Sequence, residues 1–192
     1  GVIAVMCAQR KQDALIWGID IDEMAVCQAR DNVAMSPCAK NVFIDVADYR
    51  NFTFNDSSTN ELFTNIVSNP PYFIENTTSP DEKRSLARNS NSLPFEDLLK
   101  NSSEMLCEGG RLSIIVPTSV AYLVISSAVK YDLFLCRRTD IADSPSSCFK
   151  RSLLEFTYDI MLQTERDFLI IHEEDGRYSS DYKRLMCDFL FL

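Results

Sequence analysis

Ser68-Asn69-Pro70-Pro71-Tyr72-Phe73 follows Leu62-Phe63-Thr64-Asn65-Ile66-Val67, a short run that reads as a buried strand. Two prolines cannot extend a strand ladder, because neither has a backbone N–H, so the strand stops at Asn69. Each proline ring also pushes the residue before it toward extended backbone. Asn69 is then a polar amide fixed at a strand end, with the Tyr72 ring three residues on. Such a pair suits a flat nitrogenous ring: the amide oxygen and a freed backbone carbonyl accept from an amine while the aromatic stacks. An ordinary Asn-Pro turn after a strand accounts for the same letters equally well.

Working outward, strands and helices alternate. Residues 1–10 read as a helix starting after Gly1, apolar or small all round and hence expected to be buried. Ala14 to Asp20 reads as a parallel strand ending in an acid, and Glu23 to Ala34 as a helix with Ala25, Val26, Ala29 and Val33 at helical spacing. Val42 to Val46 is the next strand, followed by Ala47-Asp48. Residues 51–61 read as a loop or weak helix, and residues 74–94 as a long polar loop, usually a functional feature in a compact domain. Phe95 to Cys107 is amphipathic and helical, with Gly109-Gly110 expected to stop it. Arg111 to Val116 is a strand closed by Pro117. Tyr131 to Ile141 reads as a strand, and Leu154 to Leu162 alternates as a half-exposed antiparallel strand does. Phe168 to Ile171 is one more short strand, and Tyr182 to Phe191 a closing helix. The pattern predicts one α/β domain over residues 1–192, built on a mostly parallel sheet.

In an open parallel sheet, ligands sit at the carboxyl ends of the strands. Asp20, Asp48 and Asn69 fall at such ends. An acid in the place of Asp20 can accept from ribose hydroxyls, with Asp22 its local competitor, and Asp48 can accept from an adenine amine. The alternative for each is a solvated strand end, and it weighs less for Asp20 than for Asp48.

The totals bound the rest. The chain has 192 residues, enough for one domain with a real core, and a formal net charge of −9, awkward for a nucleic-acid binder unless basic residues cluster locally. Seven cysteines without a C-x-x-C spacing argue against a disulfide framework or a zinc knuckle, and most read as small buried residues of a reducing cytosol. A single histidine, His172, leaves no multi-histidine metal site and reads as structural. No apolar run is long enough for a bilayer and no signal-like segment opens the chain, so a cytoplasmic protein is expected.

Gly1-Val2-Ile3-Ala4, Gly18-Ile19-Asp20-Ile21-Asp22, Ala47-Asp48 and Asn69-Pro70-Pro71-Tyr72 stand in the order and rough spacing of the S-adenosylmethionine-dependent methyltransferases, which this chain resembles. The tetrapeptide is similar to that of the amino-methyltransferases, which act on exocyclic adenine or cytosine nitrogens or on glutamine amides. A narrower likeness runs through Ile66 to Phe73, Lys83 to Arg88, Leu93 to Leu99, Gly110 to Ser113 and the tail Tyr178 to Tyr182 with Asp188-Phe189. These segments are similar to the bacterial family that methylates N6 of adenine 37, beside the anticodon of valine tRNA. The family's first strand and most of its glycine-rich loop precede the residue matched by Gly1, so an N-terminally incomplete Rossmann-like domain is expected, its seven-stranded sheet lacking the first strand and closing on an antiparallel C-terminal one. Where the family carries an acid before the tetrapeptide this chain has Thr64, and Asn65 takes an apolar place.

The resemblance implies a role for each matched residue. The Asn69 side-chain oxygen and the Pro70 carbonyl accept from the target amine and point its lone pair at the sulfonium methyl, with Tyr72 stacked on the base. Pro71 and Phe73 line the substrate pocket. Gly1, Asp20, Ile21, Asp48 and Asn69 hold the cofactor, Gly1 by permitting close approach of the chain. Arg84 and Arg88 bind the tRNA, with Lys83, Lys150 and Arg151 as further candidate phosphate contacts. A monomer without metal is implied. Two alternatives stay open: a protein glutamine N5-methyltransferase using the same tetrapeptide, and a non-catalytic RNA-binding module.

Overall fold

The computed structural model describes residues 1–53, 62–70 and 95–189. They fall into two compact units, divided between Thr53 and Phe54.

The first unit holds α1 (Val2–Arg10), β1 (Ile16–Asp20), α2 (Glu23–Ala34), β2 (Val42–Val46) and a single 3-10 turn over Tyr49–Asn51. β1 and β2 pair in parallel, with Asp20 opposite Val46. Parallel strands need a crossover, and α2 supplies it. Asp22 starts this helix by accepting from the Met24 and Ala25 N–H groups. Ala4 and Ala8 of α1 and Val26, Ala29 and Val33 of α2 close over Val42 and Ile44. Gly18 makes the close fit of helix to strand possible: a Cβ there would meet Ile44 Cδ1 at 2.7 Å and Ala4 Cβ at 3.6 Å. Contrary to expectation, α1 is not buried on all sides, since Val2 is 66% and Ile3 46% exposed.

Among the described residues β2 is an edge strand, and its backbone is blunted by α2. Arg30 Nε donates to the Ile44 carbonyl at 2.8 Å while its Nη2 reaches Asp45 at 3.1 Å. A charged side chain on a free edge opposes pairing with another chain.

The second unit contains β3 (Phe63–Ser68), α3 (Phe95–Met105), β4 (Leu106–Pro117), α4 (Ala121–Ala128), β5 (Phe134–Ala142), β6 (Arg151–Thr157), β7 (Glu165–Ile170) and α5 (Ser180–Met186). Its sheet has the order β3-β4-β6-β5-β7. β6 is antiparallel to both its neighbours, whereas β3 with β4 and β5 with β7 are parallel. The carboxyl ends of β3, β4, β5 and β7 therefore share one edge with the start of β6. The core is made of Leu98, Leu99, Leu112, Val116, Val124, Leu133, Leu154 and Phe156, each less than 2% exposed. Burying Phe156 alone contributes about 2–3 kcal/mol.

Several expectations are corrected. The antiparallel strand read at Leu154 is β6, but it sits inside the sheet and is followed by β7, which lies parallel to β5. The seven described strands form a two-stranded and a five-stranded sheet. β3 is an edge strand with Val67 half exposed, not a fully buried one. Gly109 and Gly110 do not stop α3, which ends at Met105; they lie within β4, where the pairing to β3 slips between Phe63 and Asn65. Gly109 takes a φ of +75°, open to glycine without strain. The stretch after Pro117, which carries no element in the sequence reading, forms α4 between two short 3-10 turns. All seven cysteines are free, and only Cys136 is buried; Cys27, Cys148 and Cys187 are exposed.

Candidate active site

At the carboxyl end of the first unit's strand pair, two acids arrive on adjacent strands. Ala47 N–H donates to the Asp20 carbonyl at 2.9 Å, tying the turn after β2 to the end of β1. Asp20 Oδ1 accepts from the Asp22 N–H at 3.0 Å, which fixes the carboxylate at the exposed strand end. Its other oxygen takes no hydrogen bond from the described residues. Asp22, the local competitor, is committed to the α2 cap, with 2.8 Å to Met24 N and 3.4 Å to Ala25 N. The choice between the two acids is thus made by helix capping. Ile21 stands between them and is 44% exposed.

Asp48 caps the 3-10 turn and is clamped by Arg50. Oδ1 accepts from the Arg50 backbone N–H and from Nε, each at 3.0 Å, and Oδ2 accepts from Nη2 at 2.6 Å. The Arg50 guanidinium holds this carboxyl below the usual carboxylate range, with the backbone hydrogen bond adding to the effect. Asp48 is thus an ionised acceptor, and an incoming amine has to share it with Arg50. Sequence reasoning missed Arg50, although an acid followed two residues later by arginine at a turn is a legible pairing.

Gly1 serves packing. It precedes α1 as its N-cap residue, and a Cβ there would meet Ala29 Cβ of α2 at 2.9 Å. Close approach of α1 to α2 thus supplies a reason for glycine that needs no ligand.

In the second unit, Asn69 is exposed directly after β3 and Pro70 is buried. The expected strand stop is therefore in place, with the amide at the carboxyl edge of the sheet. Pro71, Tyr72, Phe73, Lys83, Arg84 and Arg88 lie outside the described residues. Lys150 and Arg151 are exposed at the same edge, where Lys150 N–H donates to the Ile141 carbonyl at 3.0 Å.

A polar cluster absent from the sequence reading lies beside them. Arg138 Nε donates to both oxygens of Asp140, at 2.9 and 3.0 Å, and its guanidinium lies 5.0 Å from the Tyr122 ring centroid. Ser152, fully buried, donates to Asp140 and lies 3.2 Å from the Thr118 hydroxyl. Period-2 alternation could not flag it, because Arg138 and Asp140 occupy inward positions that an apolar pattern would fill. His172, read as structural, stacks on Tyr178 with centroids 4.9 Å apart and lies 3.1 Å from Asp143. Among the described residues no group of three His, Cys, Asp or Glu side chains could hold a metal, and no helix is long and apolar enough to cross a membrane.

Comparison with known proteins agrees with this architecture. A family model described as "RMKL-like, methyltransferase domain" matches residues 3–125. A tRNA1(Val) (adenine(37)-N6)-methyltransferase of Bacteroides thetaiotaomicron is 36% identical over 190 residues, covering 98% of this chain and 78% of that protein. The enzyme of the same name from Porphyromonas gingivalis is 37% identical over 188 residues, with 96% and 74% covered. Among solved structures, a predicted O-methyltransferase from Agrobacterium tumefaciens superposes with a TM-score of 0.72 at 18% identity, covering 96% of this chain and 82% of that one. That likeness is one of fold and gives the Rossmann-like class. Matched at more than 30% identity over nearly its full length, the chain belongs to the methyltransferase family that includes these tRNA1(Val) (adenine(37)-N6)-methyltransferases.

Proposed function

We propose that this chain transfers the methyl group of S-adenosylmethionine to the exocyclic N6 of adenine 37 in valine tRNA. The observation that carries the reading is the exposed Asn69 amide, followed by Pro70, at the carboxyl end of a parallel strand. An aromatic amine is a weak nucleophile because its lone pair is delocalised into the ring. Hydrogen bonds from the amine to the Asn69 side-chain oxygen and the Pro70 carbonyl favour a tetrahedral nitrogen and aim its lone pair. Orientation supplies most of the rate, so no strongly basic side chain is needed. Pro71, Tyr72 and Phe73 complete the pocket in this reading, Tyr72 by stacking on a base taken out of its loop.

The residues present suit the cofactor. Asp20 carries a fixed carboxylate with one oxygen unengaged by the described residues, a match for ribose hydroxyls. Asp48 offers an ionised acceptor to the adenine amine and Ile21 an apolar contact, and the family resemblance implies a cofactor contact for Asn69 as well. When bound, S-adenosylmethionine supplies an electrophilic methyl on a sulfonium. Arg84 and Arg88 take tRNA phosphates, with Lys83, Lys150 and Arg151 as further contacts. The reading treats residues 1–192 as one methyltransferase domain, supported by a family match that runs from the first unit into the second, over residues 3–125. It also carries a cytoplasmic monomer.

The test is methyl transfer from labelled cofactor to total tRNA, with nucleoside analysis of the product. N6-methyladenosine is expected, and Asn69→Ala is expected to lower kcat at least about 100-fold. Asp20→Ala is expected to weaken cofactor binding about 10-fold or more, as loss of a charge-assisted hydrogen bond does. No N6-methyladenosine with the unaltered chain, or an unchanged rate in Asn69→Ala, overturns the proposal.

A further inference from the structure

Three aromatic rings stand in register at the end of β7, apart from the core. His172 and Tyr178 stack with centroids 4.9 Å apart and planes inclined 23°, and Tyr178 and Tyr182 with 5.1 Å and 25°. The ladder stays in contact with solvent: Tyr178 is 38% exposed, the His172 side chain is 32% exposed and Tyr182 is partly exposed. It is held by backbone bonds to the sheet. His172 N–H donates to the Asp143 carbonyl at 2.8 Å, and Ser179 N–H to that of Ile171 at 2.9 Å. The Ser179 hydroxyl donates to the Ile170 carbonyl at 2.6 Å and accepts from Tyr182 N–H at 3.1 Å, which starts α5.

This places the rings on the sheet edge where β3 ends in Asn69. Four strand spacings separate β3 from β7, about 19 Å across the edge. That is too far for the target base and a fit for a nucleotide further along the same strand. The two ends of the ladder differ in charge. The His172 end is next to the Asp143 carboxylate, at 3.1 Å. At the other end Tyr182 is flanked in the chain by Asp181 and Lys183, while Lys150 and Arg151, at the start of β6, lie on the same edge of the sheet. Among the described residues no salt bridge engages these three cations; Asp175, clamped by Arg177, also feels the charge of Lys183. A parallel ring stack with exposed cations on the same sheet edge, in a chain of net charge −9, matches a nucleobase and its phosphates.

We infer that the His172–Tyr178–Tyr182 ladder is a stacking platform for an unpaired nucleobase of the RNA substrate. The base extends the ladder at Tyr182, and Lys150, Arg151 and Lys183 hold the adjoining phosphates. The inference rests on the proposed RNA substrate. It predicts that a single-stranded flank, not only the target loop, sets affinity.

The experiment uses the full chain and an RNA stem–loop whose loop-flanking nucleotides are unpaired, one of them replaced by 2-aminopurine. Fluorescence anisotropy gives the affinity, and 2-aminopurine quenching reports stacking. Tyr182→Ala is expected to weaken binding about 10-fold and abolish the quench, with Tyr182→Phe restoring both. His172→Ala is expected to change affinity less than about twofold, because the base stacks at the other end. Lys150→Glu with Lys183→Glu is expected to weaken binding and flatten its salt dependence, and this pair lies outside the core should Tyr182→Ala fold poorly. Unchanged affinity in Tyr182→Ala, or in the lysine pair, overturns the platform. Methylation of tRNA is scored separately. N6-methyladenosine formed with no effect of Tyr182→Ala overturns the platform alone, quenching without any product overturns the adenine-N6 reaction alone, and an unaltered chain that binds no RNA overturns both.

Discussion

Replacing Asp140 by alanine strands a buried charge. The Arg138 side chain is 8% exposed and its Nε is held by both Asp140 oxygens. Breaking a buried pair from one side costs roughly 3–5 kcal/mol, because the remaining charge has lost its compensation without regaining water. Asp140 itself is 23% exposed and Arg138 keeps its place over Tyr122, so the lower end applies, about 3 kcal/mol. Ser152 also loses an acceptor but keeps Thr118 within reach, a small addition. For a chain of this size, about 3 kcal/mol lowers Tm by roughly 6–12 °C. Differential scanning calorimetry or urea unfolding followed by circular dichroism reads the shift. A paired variant, Arg138→Met with Asp140→Leu, removes both charges and is expected to recover to within about 1 kcal/mol of the original protein. A fall in Tm below about 2 °C in Asp140→Ala, or a paired variant no more stable than the single one, refutes the reasoning.

Two further outcomes follow from local geometry. Gly110→Ala drives a Cβ to 2.8 Å from the Cys107 carbonyl oxygen and 3.1 Å from that of Phe63, both backbone atoms that cannot swing aside. A cost of about 1–3 kcal/mol in urea unfolding is expected, above the roughly 1 kcal/mol for Gly109→Ala, which meets open space at a φ of +75°. Cys136 is the second case: burial, with the Glu155 carboxylate adding to it, pushes its thiol from 9.0 up to about 11. Because the folded value lies above the unfolded one, this group's contribution is complete below pH 9 and is lost as pH rises toward 11. The unfolding midpoint is expected to fall over that window and to fall less in Cys136→Ala. Thiol labelling at pH 8 should modify Cys27, Cys148 and Cys187 before Cys136, and early reaction of Cys136 contradicts this account.

Local chemistry wrote much of the fold into the sequence. The α2 and β2 boundaries agree with those read from periodicity, since a helix capped by Asp22 and a strand of five apolar-leaning residues are decided by neighbours in the chain. The strand stop at Asn69 follows from two missing N–H groups, and the tetrapeptide with its spacing to Asp20 and Asp48 indicates the methyltransferase family before any coordinates. Elements set by distant partners were harder to read. The glycine pair after α3 has the letters of a helix stop, yet β3 draws Gly110 into a strand by packing the Phe63 carbonyl against it. The place of β6 between β4 and β5 depends on sheet order, which alternation along one strand does not encode. The same limit applies to function. Sequence alone marked the acids and the amide proposed to face a cofactor and an amine, because those groups sit at strand ends that local patterns mark. Only the tertiary structure decided that Asp22 caps a helix while Asp20 faces solvent, that Arg50 clamps Asp48, and that three rings from the tail align in one stack. Each depends on where a side chain meets residues the chain has carried elsewhere, and that is settled by packing.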